Sequence, residues 1–315
     1  MAPLSALLSA LLCAGWAAQK PAPTHPLQEV RDHHQQGRYE LVRKALEGPA
    51  ISKLKRRFRA EAYRLLGESH ERLGDMDRAL RVYQLAEGLY PKDINLLSNL
   101  ANLLHHIGLD ERARPYYERV LRIHPNNAAA HLGLAEVSRA QGMTPEAADH
   151  YERALRELSG AADVWRDYAE LLSECRRFEE AETAIRRSLE LSRDSDALLD
   201  LALIGRRRGR STQAAADLEE ATRVAPFRTD LRLRLALWRI EDGRPQDALS
   251  LVSGVLSESP KDPLALWIRA SIRLREGKTS SALEDLRVAA SATRTHPFVA
   301  ASAKKLLDLA AGATR

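Results

Sequence analysis

The chain has 315 residues, of which 44% are hydrophobic and only 5% aromatic. Its 48 basic and 43 acidic side chains give a net charge of +5, a mild bias that permits an acidic partner without indicating one. No uncharged apolar run reaches the ~18 residues that a transmembrane helix needs. With only two cysteines in the sequence, the composition also argues against a disulfide framework and against a thiolate metal site.

The first 18 residues are predicted to be a secretory signal peptide. Residues 4–18 are uncharged and apolar, they end in small residues, and cleavage is expected after Ala17 or Ala18. Two alternatives stay open: lipid attachment at Cys13, and an uncleaved anchor. Residues 19–26 contain three prolines and are predicted to be a stiff, extended spacer.

Residues 27–59 are expected to form a degenerate helical repeat and a connecting segment. Gly37 stands where a turn is needed between two short helical stretches, 27–36 and 40–46. Residues 48–59 interrupt the repeat phase, and residues 51–58 are expected to lengthen the first helix of the next unit.

Two consecutive 34-residue units, 60–93 and 94–127, carry the same pattern of residue types. Positions 4, 7, 8 and 11 of each unit share one face of a helix, and so do positions 20, 24 and 27. Gly74 and Gly108 occupy the position after the first helix, where a left-handed backbone ends it. Pro91 and Pro125 end the second helix. In the first unit these positions hold Tyr63, Leu66, Gly67, His70, Ala79, Tyr83 and Ala86, and in the second Leu97, Leu100, Ala101, Leu104, Ala113, Tyr117 and Val120.

This pattern resembles the tetratricopeptide repeat, a 34-residue helix–turn–helix unit. Each helix pair has an apolar face that it cannot bury alone, so the unit implies a stacked array. The resemblance implies an all-α, right-handed superhelical solenoid that binds a peptide or protein on its concave face. The same phase continues with declining fidelity through residues 128–161, 162–194, 195–228, 229–262 and 263–296, and residues 297–315 are expected to be a capping helix and tail.

Two of the later units depart from the pattern. In the fourth unit Arg176 replaces the turn glycine. In the sixth, residues 231–238 alternate like a strand, although the phased Gly243 and Pro260 favour a helix. That helix then has Arg232 and Arg239 at positions where large apolar side chains are expected.

The candidate binding residues follow from the resemblance, since in this family positions 2, 5, 6, 9, 12 and 13 of the first helix line the concave groove. In the second unit these positions form a polar, nearly uncharged patch, and amide side chains there are suited to bind the backbone of an extended peptide. The amide at position 6 resembles the asparagine ladder of O-linked N-acetylglucosamine transferases, although the ladder is not sustained here. The predicted groove residues are Arg64, Glu68, Asn95, Ser98, Asn99, Asn102, His105, Arg166 and Glu170.

A second candidate surface is the basic run Arg206, Arg207, Arg208 and Arg210. It is either an anion-binding patch or, as we favour, a set of cations that complements the negative end of a helix dipole. No broad basic stripe is present, so nucleic acid is not an expected partner.

The sequence contains no phosphate-binding loop, nucleophile elbow or recognised metal-ligand spacing, and no cofactor or metal is expected. We therefore expect a non-catalytic scaffold that binds a protein or peptide, exported in a bacterium and part of an envelope or secretion assembly. The alternative is an accessory subunit, lipid-anchored or soluble, of a separately encoded envelope enzyme.

Overall fold

The computed structural model describes residues 25–293 and 296–312, with side chains up to residue 309. The predicted signal peptide, residues 19–24 of the spacer and Cys13 lie outside the described residues. Within the described residues the chain forms eighteen helices and no strand, and it divides into two compact units, Met1–Glu157 and Leu158–Arg315. The prediction of an all-α solenoid of repeats is confirmed.

The helices of the first unit form four pairs with one short extra helix. They are α1 (Gln28–Gln35), α2 (Tyr39–Leu46), α3 (Ala50–Lys53), α4 (Arg56–Arg72), α5 (Met76–Leu89), α6 (Ile94–His106), α7 (Asp110–Ile123), α8 (Ala128–Ala140) and α9 (Thr144–Glu157).

The second unit holds four more pairs and a final helix. They are α10 (Ala162–Glu174), α11 (Phe178–Leu191), α12 (Ser195–Arg207), α13 (Ser211–Val224), α14 (Thr229–Glu241), α15 (Pro245–Glu258), α16 (Pro263–Arg275), α17 (Thr279–Ser291) and α18 (Pro297–Gly312).

One detail of the connecting segment was predicted wrongly. Residues 51–58 do not form one extension of the next helix, because Ala50–Lys53 is a separate single turn and only the residues from Arg56 onward extend α4. Leu54 and Lys55 have an extended backbone that breaks the two apart. The extension still makes α4 a helix of 17 residues, against 13 for α6.

The turns inside the pairs use the left-handed backbone that the glycines predicted. Gly74 and Gly108 have φ of 79° and 76°. After α6, Gly108 N–H donates to the His105 carbonyl at 2.9 Å, and Leu109 N–H donates to the Leu104 carbonyl at 2.8 Å. These bonds satisfy carbonyls that the helix leaves free at its end. Arg176 takes the same conformation, with φ of 61°, and is the one non-glycine residue with positive φ in the described chain.

The strand-like alternation at residues 231–238 lies in helix α14, as the repeat phase predicted. The two arginines at apolar positions are accommodated by ion pairs with second helices. Arg232 contacts Glu258 at 2.6 Å, and Arg239 contacts Glu219 at 2.9 Å. The aliphatic stems of such arginines cover apolar surface while the guanidinium reaches a carboxylate.

Close packing in the first unit depends on tyrosines seated on glycines. The Tyr83 side chain is fully buried, and a Cβ built on Gly67 would lie 2.2 Å from its ring. A Cβ on Gly133 would lie 2.3 Å from the equally buried ring of Tyr117. Only residues without a side chain let these rings come so near to α4 and α8.

Replacing Gly67 with alanine is expected to lower the free energy of unfolding by about 2–4 kcal/mol, because the fully buried Tyr83 ring has no room to move. Urea denaturation followed by circular dichroism measures the change. Gly88→Ala is the matched control: it lies inside α5 with nothing within 4 Å of its added Cβ. That variant is expected to gain about 0.5 kcal/mol from helix propensity. Equal losses in both variants would contradict the packing argument.

Candidate functional site

The candidate site in the first unit is the surface presented by the first helices α4, α6 and α8, here called the first-helix face. α6 lies between the other two and contacts both. Of the predicted groove residues in this unit, Asn95 and Asn102 are exposed, while Arg64, Glu68, Ser98, Asn99 and His105 are half-buried. The structure therefore brings these predicted residues onto neighbouring helices of one surface.

Glu68 joins three successive first helices. Its Oε1 accepts hydrogen bonds from Arg64 Nη1 at 2.6 Å and from Asn99 Nδ2 at 2.7 Å. Its Oε2 lies 3.0 Å from His34 Nε2 of α1. The charge of Glu68 is therefore matched within the protein, and the Asn99 amide is held in one orientation.

Two tyrosine hydroxyls reach the same surface from the second helices. Tyr83 Oη donates to Glu71 Oε1 at 2.5 Å, and Tyr117 Oη donates to Asn102 Oδ1 at 2.6 Å. Burial raises the pKa of both tyrosines well above its usual value, so both hydroxyls keep their protons. Burial also raises the pKa of Glu71, and the hydrogen bond from Tyr83 partly offsets this effect.

The two asparagines of α6 are left with complementary free groups. Because Asn99 donates to Glu68 and Asn102 accepts from Tyr117, Asn99 Oδ1 is a free acceptor and Asn102 Nδ2 is a free donor with respect to the described residues. Residues three apart on a helix are neighbours on its surface. This face therefore offers one acceptor and one donor side by side.

Beyond the asparagines, α6 ends in a histidine paired with carboxylates. His105 Nδ1 lies 2.5 Å from Asp110 Oδ1, and Nε2 lies 3.7 Å from Glu136 Oε2. His105 is thus fixed by α7 and α8.

The predicted residues of the second unit lie around a buried carboxylate that was not predicted. Arg166 is half-buried and Glu170 is exposed, both on α10, and the neighbouring helix α12 carries Asp200. Burial raises the pKa of Asp200 to about 6, against the attraction of Arg166 and with the help of Glu170. This surface is acidic, unlike that of the first unit.

The basic run is paired with carboxylates of its own unit. Arg208 contacts Glu179 at 2.6 Å, and both Arg208 and Arg210 contact Glu182. Burial opposes ionisation of Glu182, yet hydrogen bonds from Arg210, Arg186 and Arg208 lower its pKa to about 2.

The other two arginines of the run are also engaged. Arg206 forms an ion pair with Glu241 and lies 4.5 Å over the ring of Trp238. Arg207 Nη1 donates to Ser173 Oγ at 2.7 Å. The run thus holds helices of the second unit together and does not present four unpaired cations.

No cluster of three or more histidine, cysteine or acidic side chains placed to hold a metal ion exists among the described residues. In the same residues, no helix is long and apolar enough to cross a membrane. Cys175 is free and half-buried.

Four family models described as tetratricopeptide repeats match residues 60–103, 92–156, 138–203 and 233–297. The chain belongs to the tetratricopeptide repeat family. Repeats of this family build protein-binding scaffolds and are generally not catalytic, and the chain is a repeat scaffold of this kind. Comparison with curated protein sequences finds no match.

Solved structures of tetratricopeptide proteins share the fold. The C-terminal part of a repeat-containing protein from Cytophaga hutchinsonii is 14% identical, with a TM-score of 0.63 over 76% of this chain and 97% of that one. A tetratricopeptide repeat protein from Parabacteroides merdae is 20% identical, with a TM-score of 0.55 over 80% and 98%. MamA from Desulfovibrio magneticus is 18% identical, with a TM-score of 0.51 over 54% and 96%. At these identities the likeness concerns the fold alone.

The site residues that sequence reasoning missed are Tyr83, Tyr117 and Asp200. The tyrosines were assigned to the core, and their rings do lie there, but their hydroxyls reach the first-helix face. The glycine facing each ring was the available signal, because it lets the ring pass between helices. Asp200 gave no signal, since its burial depends on side chains of α10 and on its own helix.

Replacing Asp200 with asparagine is expected to stabilise the second unit at about pH 7.5. An acid whose pKa is higher in the folded chain than in the unfolded one destabilises the fold above the folded pKa, here about 6. After allowance for partial solvent exposure, the expected gain is about 1 kcal/mol. The gain should shrink as the pH falls from 6 towards 3.8, the usual pKa.

Urea denaturation of both proteins at about pH 7.5 and pH 4 measures the difference in unfolding free energy. Glu170→Gln removes an exposed carboxylate of the same surface and should give a smaller gain. A gain for Asp200→Asn that is equally large at pH 4 would contradict the assignment.

Proposed function

We propose that the protein is a non-catalytic adaptor that binds an extended segment of a partner protein on the first-helix face of its first unit. The observation that carries the proposal is the pair of free groups on α6, Asn99 Oδ1 and Asn102 Nδ2, each on an amide already fixed by Glu68 or Tyr117.

An extended peptide offers an N–H and a C=O group from each residue, with residues about 3.3 Å apart. One acceptor and one donor about 5–6 Å apart on a helix match such a backbone without reading its side chains. Because Glu68 and Tyr117 hold the amides in place, little side-chain entropy is lost when the partner binds.

Charge adds selectivity along the chain. In the first unit the charges near the asparagines are matched, with Arg64 on Glu68 and His105 beside Asp110. In the second unit the surface around Glu170 and Asp200 is acidic and favours basic side chains, while Arg166 restricts where they bind. The partner segment is expected to be neutral where it meets α6 and basic where it meets α10 and α12.

Asn102→Asp tests the proposal with the least disturbance of the fold. The carboxylate still accepts the hydrogen bond from Tyr117 but has no N–H to offer. Peptides selected on the wild-type protein from a library of random extended sequences are expected to bind the variant about 10-fold more weakly. Fluorescence polarisation measures the affinities, and unchanged circular dichroism shows that the fold is kept.

The matched control is Gln84→Glu, the same change from amide to acid at an exposed position of the second helix α5. It should leave peptide affinity unchanged. Peptides methylated on backbone nitrogen should also bind more weakly. Selected peptides that bind wild type and Asn102→Asp equally, or that tolerate backbone methylation throughout, would place recognition elsewhere.

We further propose that the protein is exported in a bacterium and acts in an envelope or secretion assembly; bacterial origin is inferred from the leader and the composition. The apolar residues 4–18 and the small residues that follow support export. A lipid anchor at Cys13 and a role as accessory subunit of an envelope enzyme are the alternatives. Catalytic turnover by the purified chain free of partners would contradict the adaptor assignment.

The intact mass of the protein from its native source tests export. The mature chain is expected to begin at Ala18 or Gln19. A chain that begins at Cys13 and carries acyl groups would establish the lipid-anchored alternative, whereas a chain that begins at Met1 would refute cleavage and export by this route.

A further inference from the structure

A cavity of about 380 Å³ lies in the first unit, on a different side of α4 from Arg64 and Glu68. Its size falls within the range of about 300–1,000 Å³ that is usual for ligand sites. Most of its lining is apolar: Leu46, Ile51, Tyr63, Leu66, Val82 and Leu85. We call it the N-terminal pocket.

The pocket lies where the repeat phase is interrupted. Helix α2 has eight residues, whereas the second helices α5, α7 and α9 have fourteen each. After α2 the chain turns at Gly48, with φ of 68°, and Ile51 of the single-turn helix α3 forms part of the wall. The wall is therefore particular to this helix pair.

The pocket contains a buried polar group with nothing to bind. His70 on α4 is only 3% exposed, and its Nδ1 has no hydrogen-bond partner among the described residues. Burial lowers the pKa of His70, so the ring is neutral at neutral pH and one nitrogen accepts a hydrogen bond. A buried polar atom without a partner destabilises a fold, and a ligand that supplies the partner removes that cost.

The exposed end of the pocket carries cations. Leu85 there is 55% exposed, and the exposed Arg78 and Arg81 flank it. Arg78 pairs with Asp75 at 3.2 Å, while Arg81 has no ion-pair partner in the described chain. The one carboxylate of the lining, Glu47, is paired with Arg43 at 3.2 Å. Arg81 is therefore the charge that remains for a ligand.

We propose that the N-terminal pocket binds a tyrosine side chain of a partner protein that carries a carboxylate next to the ring. The ring packs on Leu66 and Val82, its hydroxyl donates to His70 Nδ1, and the carboxylate pairs with Arg81. This site is independent of the first-helix face, and it gives the adaptor a side-chain anchor beside a surface that reads backbone.

Other apolar ligands fit the arrangement less well. A fatty acid would place its carboxylate at Arg81 but leave the buried nitrogen of His70 without a partner. Phenylalanine would do the same. A phenol has an apolar body and a polar tip, which matches a pocket with apolar walls and a polar atom inside it.

The test uses the full chain with small probes, observed by nuclear magnetic resonance of its isoleucine, leucine and valine methyl groups. N-acetyltyrosine is expected to bind with a dissociation constant in the millimolar range, roughly what a ligand of this size reaches. The shifts should be confined to methyls around the pocket, those of Leu46, Ile51, Leu66, Val82 and Leu85.

The comparison probes separate the two polar contacts. N-acetylphenylalanine should bind about 5-fold to 10-fold more weakly, because it lacks the hydroxyl. N-acetyltyrosinamide should bind about 3-fold more weakly, because the contact with the exposed Arg81 is screened by water. Acetyl-Asp-Tyr-amide, which carries its carboxylate on the preceding side chain, shows whether the partner contributes a chain terminus or an internal acidic residue.

The variants exchange one contact each. His70→Leu should equalise tyrosine and phenylalanine binding while raising the stability of the protein, since it removes the unpartnered nitrogen. His70→Gln keeps a polar atom there and should retain part of the preference, which separates recognition from an effect on folding. Arg81→Gln should equalise the acid and the amide, whereas Arg112→Gln, an exposed arginine of α7, should change nothing.

Three results would overturn the proposal: no binding of N-acetyltyrosine at about 10 mM, equal binding of phenylalanine by the wild type, or a tyrosine preference that His70→Leu leaves intact. Shifts centred on α6 would assign the probe to the first-helix face and would also overturn it. A weakened peptide affinity in Asn102→Asp bears on the proposed function alone, so the two proposals fail separately.

Discussion

The need of each helix pair to bury an apolar face against its neighbours governs this protein, and that need is met by close contact at small residues. Tyr83 on Gly67 and Tyr117 beside Gly133 are the tightest of these contacts in the first unit. Because the rings pass so close to the first helices, their hydroxyls emerge on the far side and hold Glu71 and Asn102. The packing that builds the stack therefore also places polar groups on its binding surface.

Most of the helices were predictable because their signals are local. A glycine ends each first helix, an acidic cap begins several, and the small and large residues recur in phase; Asp93, for example, accepts from the N–H groups of Asn95 and Leu96 as the cap of α6. The departure at residues 51–58 was not predictable, because a break between α3 and α4 needs only two extended residues and neither Leu54 nor Lys55 forbids a helix.

The candidate site was predictable in part. The repeat phase placed Asn99, Asn102 and Glu68 on one surface, because residue spacing on a helix fixes which side chains share a face. The orientation of each amide was not predictable, since it depends on Glu68 from α4 and on Tyr117 from α7. The same holds for Arg206 to Arg210, whose partners come from helices distant in sequence, such as the one that carries Glu241.

The brevity of the first two helices has a consequence for how the N-terminal end behaves. Helices of eight residues, such as α1 and α2, do not persist alone in water, so their order depends on docking against α4 through residues such as Leu27, Val42 and Leu46. The N-terminal pocket takes one wall from α2 and thus exists only while that pair is docked. Local unfolding at this end and occupancy of the pocket are thermodynamically linked, and a ligand seated there slows the exchange of the amide hydrogens of α1 and α2 with solvent.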